Sequence, residues 1–348
     1  MKKFKFQIIV IMLFLILICN NIIVVGFDIA YEEKISLQKN NDFYFVQLAD
    51  THIRHKLFDL HETTKERLTT VINHILSFED KPAFIVITGD LTEWGGNIIT
   101  GALNCIAFAD CFFEKDDQLY ADEDFTIPVY TIPGNHDYCL SRNLKNYNKF
   151  IDKKHGEVKN RYNITYGDIK LFFMNSGPNH YLHPKYWTDI VGDGLYDCDI
   201  EWLENELNSC KYDKKIILMH HPAINTRKDN GDMGGVIFRN REEFIELCET
   251  HSVELVLAGH THTSKIFDAD EVEYSDYPIN SSLYSTLYVQ SDDCKQGIHY
   301  RNISIQGDNI WIEGNTELND LIIKSDIEEN TFRYILMDIQ KNIINLQE

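Results

Sequence analysis

The chain alternates short apolar runs with amphipathic segments, and five of the apolar runs stop at an Asp, Asn or His. Short runs rich in β-branched and aromatic residues predict buried strands, and the segments between several of them repeat apolar residues at helical spacing. The strands predicted to end at polar side chains cover 43–48, 84–87, 129–132, 216–219 and 255–257. This alternation predicts an α/β domain whose strands deliver polar residues to one edge of a sheet.

The other predicted elements come from residue periodicity. Apolar residues at helical spacing predict helices over 63–78, 98–113, 200–207 and 241–250. A hairpin is predicted over 162–166 and 170–174, and alternating runs predict antiparallel strands over 283–289, 299–305 and 310–312. No internal repeat or Pro/Gly-rich linker interrupts the chain, so one domain is predicted over about 40–318. The segment 319–348 is a C-terminal extension for which no structure is predicted.

The first 26 residues have the pattern of an export signal. Basic residues in Met1–Lys5 precede an apolar run from Ile8 to Cys19, which Ile22–Val25 extends after two asparagines. This pattern predicts a signal peptide over 1–26 that is cleaved after Gly26, or an uncleaved signal anchor, because the stretch is nearly long enough to cross a bilayer. Cleavage is the favoured interpretation. Both predict a secreted or extracytoplasmic chain, attached to the membrane only if the leader is retained.

Seven cysteines follow the leader: Cys105, Cys111, Cys139, Cys198, Cys210, Cys248 and Cys294. An odd number leaves at least one thiol outside any intramolecular disulfide. Proximity in sequence makes Cys105 with Cys111, and Cys198 with Cys210, the candidate pairs. No CxxC spacing occurs, so a thiolate metal site is not expected.

Five short motifs stand at the predicted strand ends: Asp50-Thr51-His52, Gly89-Asp90, Gly134-Asn135-His136-Asp137, His220-His221-Pro222 and Gly259-His260-Thr261-His262. Each motif is weak alone, since a single Gly-Asp or His-x-His has no function in most chains. Residues two apart on an extended strand end point to the same side, so Asp50 with His52 can hold one cation, and His260 with His262 can face neighbouring cations. Oxygen and imidazole donors without thiolate suit Zn, Mn, Fe or Co. Their joint occurrence at strand ends favours a metal site over a set of ordinary turns.

This motif set resembles that of the calcineurin-like metallophosphoesterase superfamily, and all five motifs are intact over roughly 43–305. The resemblance implies the metallo-dependent phosphatase fold, a four-layer α/β/β/α sandwich of two mixed sheets. It also implies two divalent or trivalent metal ions, of which Mn, Fe and Zn are the candidates. By this resemblance the first metal is bound by Asp50, His52 and His262, the second by Asn135, His220 and His260, and Asp90 bridges both.

Two metal ions close together lower the pKa of a bridging water, and the resulting hydroxide would attack phosphorus in line. His136 is the candidate to protonate or stabilise the leaving oxygen. Asp137 either orients His136 or caps the local backbone. Glu93 stands where purple acid phosphatases carry a tyrosine ligand, three residues after the bridging Asp, so no Fe(III)–tyrosinate is expected. We interpret Glu93 as a surface residue or a support for the ligands.

The main functional hypothesis is an exported phosphoesterase that hydrolyses a small phosphomonoester or phosphodiester. The alternatives are a pyrophosphatase acting on nucleotide-linked or lipid-type substrates, and a non-catalytic scaffold with the same fold. The formal net charge of −21 argues against a nucleic acid polymer as partner, because an acidic surface without a Lys/Arg stripe repels polyanions. The oligomeric state is not predicted. Candidate pocket walls are the loop 225–239, which has an ordinary polar loop as its alternative, and Trp94, Tyr138 and Trp187.

Overall fold

The structure, a computed structural model, describes residues 42–57, 64–113, 127–139, 141, 143–180, 192–225 and 235–318. The predicted leader 1–26 and the extension 319–348 lie outside the described residues. Within those ranges, none of the helices has the length and hydrophobicity that a membrane crossing requires.

The strands form two mixed sheets and a small two-stranded ribbon. In chain order they are β1 (Phe43–Leu48), β2 (Ile85–Thr88), β3 (Val129–Ile132), β4 (Tyr162–Tyr166), β5 (Ile169–Phe173), β6 (Gly192–Gly194), β7 (Lys214–Leu218), β8 (Ile237–Arg239), β9 (Leu255–Ala258), β10 (Lys265–Phe267), β11 (Ile279–Asn280), β12 (Leu287–Gln290), β13 (His299–Gln306), β14 (Asn309–Ile312) and β15 (Thr316–Glu317). The first sheet has the order β11-β14-β13-β1-β2-β3 with β15 beside β13, and the second has the order β10-β12-β9-β7-β5-β4. Strands β6 and β8 form the ribbon.

Parallel strands occupy the centre of both sheets. Strands β1, β2 and β3 pair in parallel in the first sheet, and β5, β7, β9 and β12 pair in parallel in the second. Strands β13, β4 and β10 add antiparallel neighbours. The carboxyl ends of the central strands therefore lie along one edge of each sheet.

Helices cover the outer faces. They are α1 (Thr64–Ser77), α2 (Gly101–Phe113), α3 (Asn135–Tyr138), α4 (Lys145–Phe150), α5 (Lys153–Gly156), α6 (Asp197–Ser209) and α7 (Arg241–Thr250), and a 3₁₀ turn spans Ser281–Leu283. Leu68, Val71, Ile72 and Ile75 form the buried stripe of α1. Their spacing matches the 3.6-residue period of a helix that packs one face on a sheet.

Three apolar cores separate four layers, which confirms the predicted α/β/β/α sandwich. On β1, Phe45 points into the core between the sheets, whereas Val46 and Leu48 point into the core beneath α1 and α2. A third core lies between the second sheet and α6 and α7. Both faces of the central strands are buried, which explains why their sequences read as continuous apolar runs.

Two element predictions were wrong in part. The helix predicted from residue 98 begins at Gly101, because the Asn97 side-chain oxygen accepts the N–H groups of Ile99 and Thr100 at 2.8 and 3.0 Å and holds a turn there. The predicted strand 283–289 begins at Leu287, and it pairs in parallel with β9 and antiparallel only with β10.

The two candidate disulfides are also wrong, since all seven cysteines after the leader are free. Cys105 and Cys111 lie six residues apart on α2, which separates them by about 9 Å along the axis, and Cys198 and Cys210 are about 18 Å apart along α6. A disulfide needs Cα atoms within about 7 Å, so neither pair can form without unwinding its helix.

Candidate metal centre

The polar residues that follow β1, β2, β3, β7 and β9 meet in one place. Ligand atoms of Asp50, His52 and His262 lie within 4.8 Å of one another, as do those of Asp50, Asp90 and His220. Asn135 joins them, with its Oδ1 2.9 Å from His220 Nε2. The His260 ring lies 5.1 Å from the His220 ring, centroid to centroid. The structure therefore brings together every residue that the sequence analysis named as a metal ligand.

Asp50 lies at the centre of the first group and is fully buried. Its Oδ1 lies 3.3 Å from His262 Nε2 and 3.9 Å from His52 Nε2. Its Oδ2 accepts the backbone N–H of His260 at 2.8 Å, which fixes the carboxylate plane. One oxygen is held by the protein while the other faces two imidazoles.

Asp90 lies between the two groups. Its Oδ2 is 3.5 Å from His52 Nε2 and 3.4 Å from His220 Nε2, and its Oδ1 accepts the backbone N–H of His136 at 2.7 Å. One oxygen therefore faces a histidine of each group, the arrangement that a bridging carboxylate requires.

The residues fit a bound cation. Asp50 Oδ1 and His52 Nε2 are both buried, and neither has a hydrogen-bond partner among the described residues. Unsatisfied buried polar atoms are rare in folded proteins, and an ion is one of the accepted explanations. Carboxylate, amide and imidazole donors suit Mn, Fe or Zn.

Each of three candidate histidine ligands has an acceptor behind its ring. His220 Nδ1 donates to the Thr88 carbonyl at 2.9 Å, His52 Nδ1 lies 2.9 Å from Glu93 Oε2, and His262 Nδ1 lies 3.3 Å from Asp293 Oδ2. Such partners fix the tautomer and leave Nε2 for the metal. The sequence analysis missed Asp293, although it follows β12 at the same edge of the second sheet.

His220 is a better ligand than its neighbour His221. Both ring nitrogens of His221 face other side chains, because Nδ1 lies 2.9 Å from Ser176 Oγ and Nε2 lies 3.4 Å from Asn179 Oδ1. Burial lowers the pKa of His221 well below its usual value, so it is a neutral residue behind the site.

Burial and neighbouring charges oppose each other at the other histidines. Burial lowers the pKa of His52, which stays neutral. Burial also opposes protonation of His220 and His262, but Asp90 beside His220 and Asp50 beside His262 outweigh it and raise each pKa to about 9. A metal ion must displace protons from these two residues, so metal affinity decreases at low pH.

The backbone turns sharply at the strand ends. Asp50, His52, Asp90, His260 and His262 all have positive φ angles, of 51°, 45°, 50°, 69° and 49°. This left-handed region is unfavourable for residues with a Cβ. The glycines beside them are required sterically, since a Cβ on Gly134 would lie 2.2 Å from the Asp90 nitrogen and one on Gly259 would lie 2.5 Å from Asp50 Oδ2.

Comparison with known proteins identifies the family. The family model described as "Calcineurin-like phosphoesterase" matches residues 43–264. The chain belongs to this family. It is 26% identical over 228 residues to a protein of Arcobacter nitrofigilis described as a probable glycerophosphodiester phosphodiesterase, a match that covers 62% of this chain and 71% of that protein. It is 23% identical over 259 residues to a probable cyclic nucleotide phosphodiesterase of Coxiella burnetii, covering 73% of this chain and 89% of that protein.

Among solved structures, the chain resembles purple acid phosphatase PPD1 from yellow lupin seeds (Lupinus luteus) with a TM-score of 0.51 and 13% identity. That match covers 79% of this chain and 51% of the lupin chain. At this identity the likeness shows the shared fold alone.

In this calcineurin-like phosphoesterase, Glu93 supports the ligands and is not a surface residue. It is 4% exposed, its Oε2 lies 2.9 Å from His52 Nδ1, and its Oε1 lies 2.8 Å from His136 Nδ1. Burial opposes ionisation, but contacts with His136 and His52 hold the pKa of Glu93 well below its usual range. The surface alternative was therefore wrong, and Glu93 is the carboxylate that faces Nδ1 of His136.

Asp137 caps the local backbone, the second of the two roles predicted for it. Its carboxylate accepts the backbone N–H groups of Leu91, Thr92 and Gly134 at 3.1, 3.0 and 2.9 Å. These bonds tie the loop after β2 to the start of α3, which carries Asn135 and His136. Asp137 thus acts on His136 through the backbone rather than through the imidazole.

A cavity of about 1000 Å³ opens beside Asn135 and His136, and Tyr138 lines it as a predicted wall. Arg239 also lines it and pairs with Asp193 at 3.2 Å, but it ends strand β8, so the predicted loop 225–239 was wrong over its last three residues. The rest of that loop between 226 and 234, and Trp187, lie outside the described residues, so those hypotheses stay predictions. The centre of the Trp94 ring lies 5.1 Å from the guanidinium carbon of Arg54.

Proposed function

We propose that this chain is an exported phosphodiesterase that uses two metal ions to hydrolyse a small-molecule phosphate ester. The observation that carries the proposal is the position of Asp90 Oδ2, 3.5 Å from His52 Nε2 and 3.4 Å from His220 Nε2. A single oxygen that faces a histidine from each ligand group supports a bridged pair of metal ions. Two relatives are described as probable phosphodiesterases, which favours a diester over a monoester.

The ligand sets implied by the family motifs would hold the two ions, with Asp50, His52 and His262 on one, Asn135, His220 and His260 on the other, and Asp90 shared. When bound, the metals supply Lewis acidity at the phosphoryl oxygens and make water more acidic. In the reaction a water oxygen forms a bond to phosphorus, the ester P–O bond breaks, and the products are a phosphomonoester and an alcohol.

His136 supplies the proton for the leaving oxygen in this proposal. Its Nδ1 lies 2.8 Å from Glu93 Oε1, so Nε2 is the nitrogen available to substrate. Burial disfavours the imidazolium, but the contact with Glu93 outweighs burial and raises the pKa of His136. A protonated imidazole fixed in this way can give its Nε2 proton to the departing alkoxide.

Hydrolysis of bis-p-nitrophenyl phosphate and p-nitrophenyl phosphate, with Mn, Zn or Fe added and then chelated, tests the proposal. The diester should be the better substrate, and chelation should abolish turnover. We expect His136→Ala to keep both metals and lose about 10²–10⁴-fold in kcat. Asp90→Ala should lose both metals and all turnover. His251→Ala is the control and should match the wild type, because His251 follows α7 before the amino end of β9, whose carboxyl end leads into the site. Equal activity of Asp90→Ala and the wild type would overturn the site assignment.

Export is tested separately with the full-length chain in its native host. Cleavage after Gly26 predicts that the mature protein outside the cytoplasm begins at Phe27, as read by N-terminal sequencing. Retention of Met1 in a cytoplasmic fraction would contradict export and leave the hydrolytic proposal intact.

A further inference from the structure

Two partly buried cations, Arg54 and Lys295, lie behind His136, the residue proposed to protonate the leaving oxygen. Lys295 Nζ lies 3.1 Å from Glu93 Oε2, and Arg54 Nη2 lies 3.5 Å from the same oxygen. The other oxygen of this carboxylate, Oε1, contacts His136. The Arg54 and Lys295 side chains remain 28% and 27% exposed. One carboxylate therefore separates both cations from His136.

Glu93 does not neutralise both cations. Its Oε2 is already engaged by His52 Nδ1 at 2.9 Å and by Lys295, which leaves Arg54 at a distance longer than a normal hydrogen bond. In the described part of the chain, neither cation has a second carboxylate at ion-pair distance. The pair carries a surplus positive charge, although the whole chain has a formal net charge of −21.

Arg54 also has donors to spare. Its Nε is buried and lacks a hydrogen-bond partner among the described residues. The guanidinium carbon lies 5.1 Å from the centre of the Trp94 ring, which limits its motion without using its donors. The Arg54 side chain is partly exposed, and a planar guanidinium has paired N–H groups that match the oxygens of a phosphate.

We propose that Arg54 and Lys295 form a subsite for a second anionic group, a phosphate carried by the leaving alcohol. This inference rests on the proposed function, because it places the subsite on the His136 side of the scissile bond. The substrates it selects are phosphodiesters whose leaving group bears its own phosphate. A diester with a neutral leaving alcohol would leave the subsite without a ligand.

A matched pair of substrates tests the subsite. Methyl 4-phosphonophenyl phosphate and methyl 4-carbamoylphenyl phosphate have the same scissile bond and differ in the charge of the leaving phenol. The measured quantity is the ratio of kcat/KM for the phosphonate over the carboxamide, which does not depend on the fraction of folded enzyme. We expect a wild-type ratio above about 10, which corresponds to about 1.4 kcal/mol.

Arg54→Gln and Lys295→Gln should each lower this ratio by about 3–10-fold, and the double variant should bring it close to 1, as expected for charge-assisted contacts. Lys170→Gln is the control, because Lys170 pairs with Glu206 at 3.1 Å at the amino end of β5, and it should keep the wild-type ratio. A wild-type ratio near 1, or variants that slow both substrates equally, would show that the cations only balance Glu93. Failure to hydrolyse the phosphonate while bis-p-nitrophenyl phosphate is cleaved would also refute the subsite, whereas failure on all three diesters would refute the proposed function.

Discussion

Replacing Glu93 by Gln removes one negative charge while preserving side-chain shape. In the structure this carboxylate contacts His52 at 2.9 Å and His136 at 2.8 Å. An amide has only one acceptor oxygen, so at least one imidazole loses its partner. A hydrogen bond to a charged group contributes about 1.5–3 kcal/mol, which corresponds to roughly 10–100-fold in an equilibrium constant. We expect the metal at His52 to bind about 10–100-fold more weakly, the range seen when such a partner is removed.

Metal affinity is measured by competition with a chromophoric chelator, and kcat is then measured at saturating metal. The kcat should stay depressed when the metal is restored, because His136 loses its orientation as well. Glu206→Gln is the control, since Glu206 contacts Asn163 and Lys170 away from the centre. Unchanged metal affinity together with unchanged kcat would refute the assigned role of Glu93.

Three further perturbations follow from the structure. Gly134→Ala places a Cβ 2.2 Å from the Asp90 nitrogen, so urea titration should show a loss of about 1–3 kcal/mol in unfolding free energy, and a stability within error of the wild type would contradict this. Asp293→Asn removes the carboxylate 3.3 Å from His262 Nδ1 and should weaken metal binding about 10-fold, as seen by isothermal titration calorimetry. Burial raises the pKa of Glu254 to about 7 in the folded chain, so the stability it contributes is present below about pH 4.5 and lost as the pH rises to 7. At pH 8, Glu254→Gln should therefore be more stable than the wild type by roughly 1–2 kcal/mol, after allowance for partial exposure. At pH 4.5 the two proteins should have equal unfolding free energies. A gain in stability that did not vary with pH would exclude titration of Glu254 as the cause.

The strand ends were predictable because two independent patterns coincide there. An apolar run marks each central strand, and a polar ligand type follows it, so the topology of an α/β sheet brings the ligands together. Asp50, Asp90 and His220 are each reached in this way. The order of strands within each sheet was not predictable, because it depends on packing between faces that look equally apolar in sequence.

Glu93 and Asp293 show what sequence reasoning cannot reach and what it overlooked. The sequence shows that Glu93 lies three residues after Asp90, but the contacts of Glu93 depend on His52 and His136 meeting in space. Asp293 could have been found by the same strand-end argument, since β12 stops at Gln290. The run 283–289 reads as an antiparallel strand in the sequence, which would end at the opposite edge of the sheet. In the structure β12 runs parallel to β9 and ends at the same edge, which brings Asp293 to the site.

The five candidate ligands with left-handed backbone angles have a consequence for thermal stability. Each such residue disfavours the folded chain by about 1–3 kcal/mol relative to a relaxed conformation. Glycine at these positions would relieve the strain and abolish the donor atoms at the same time. Glycine at these positions is therefore expected to raise thermal stability at the cost of the proposed metal binding.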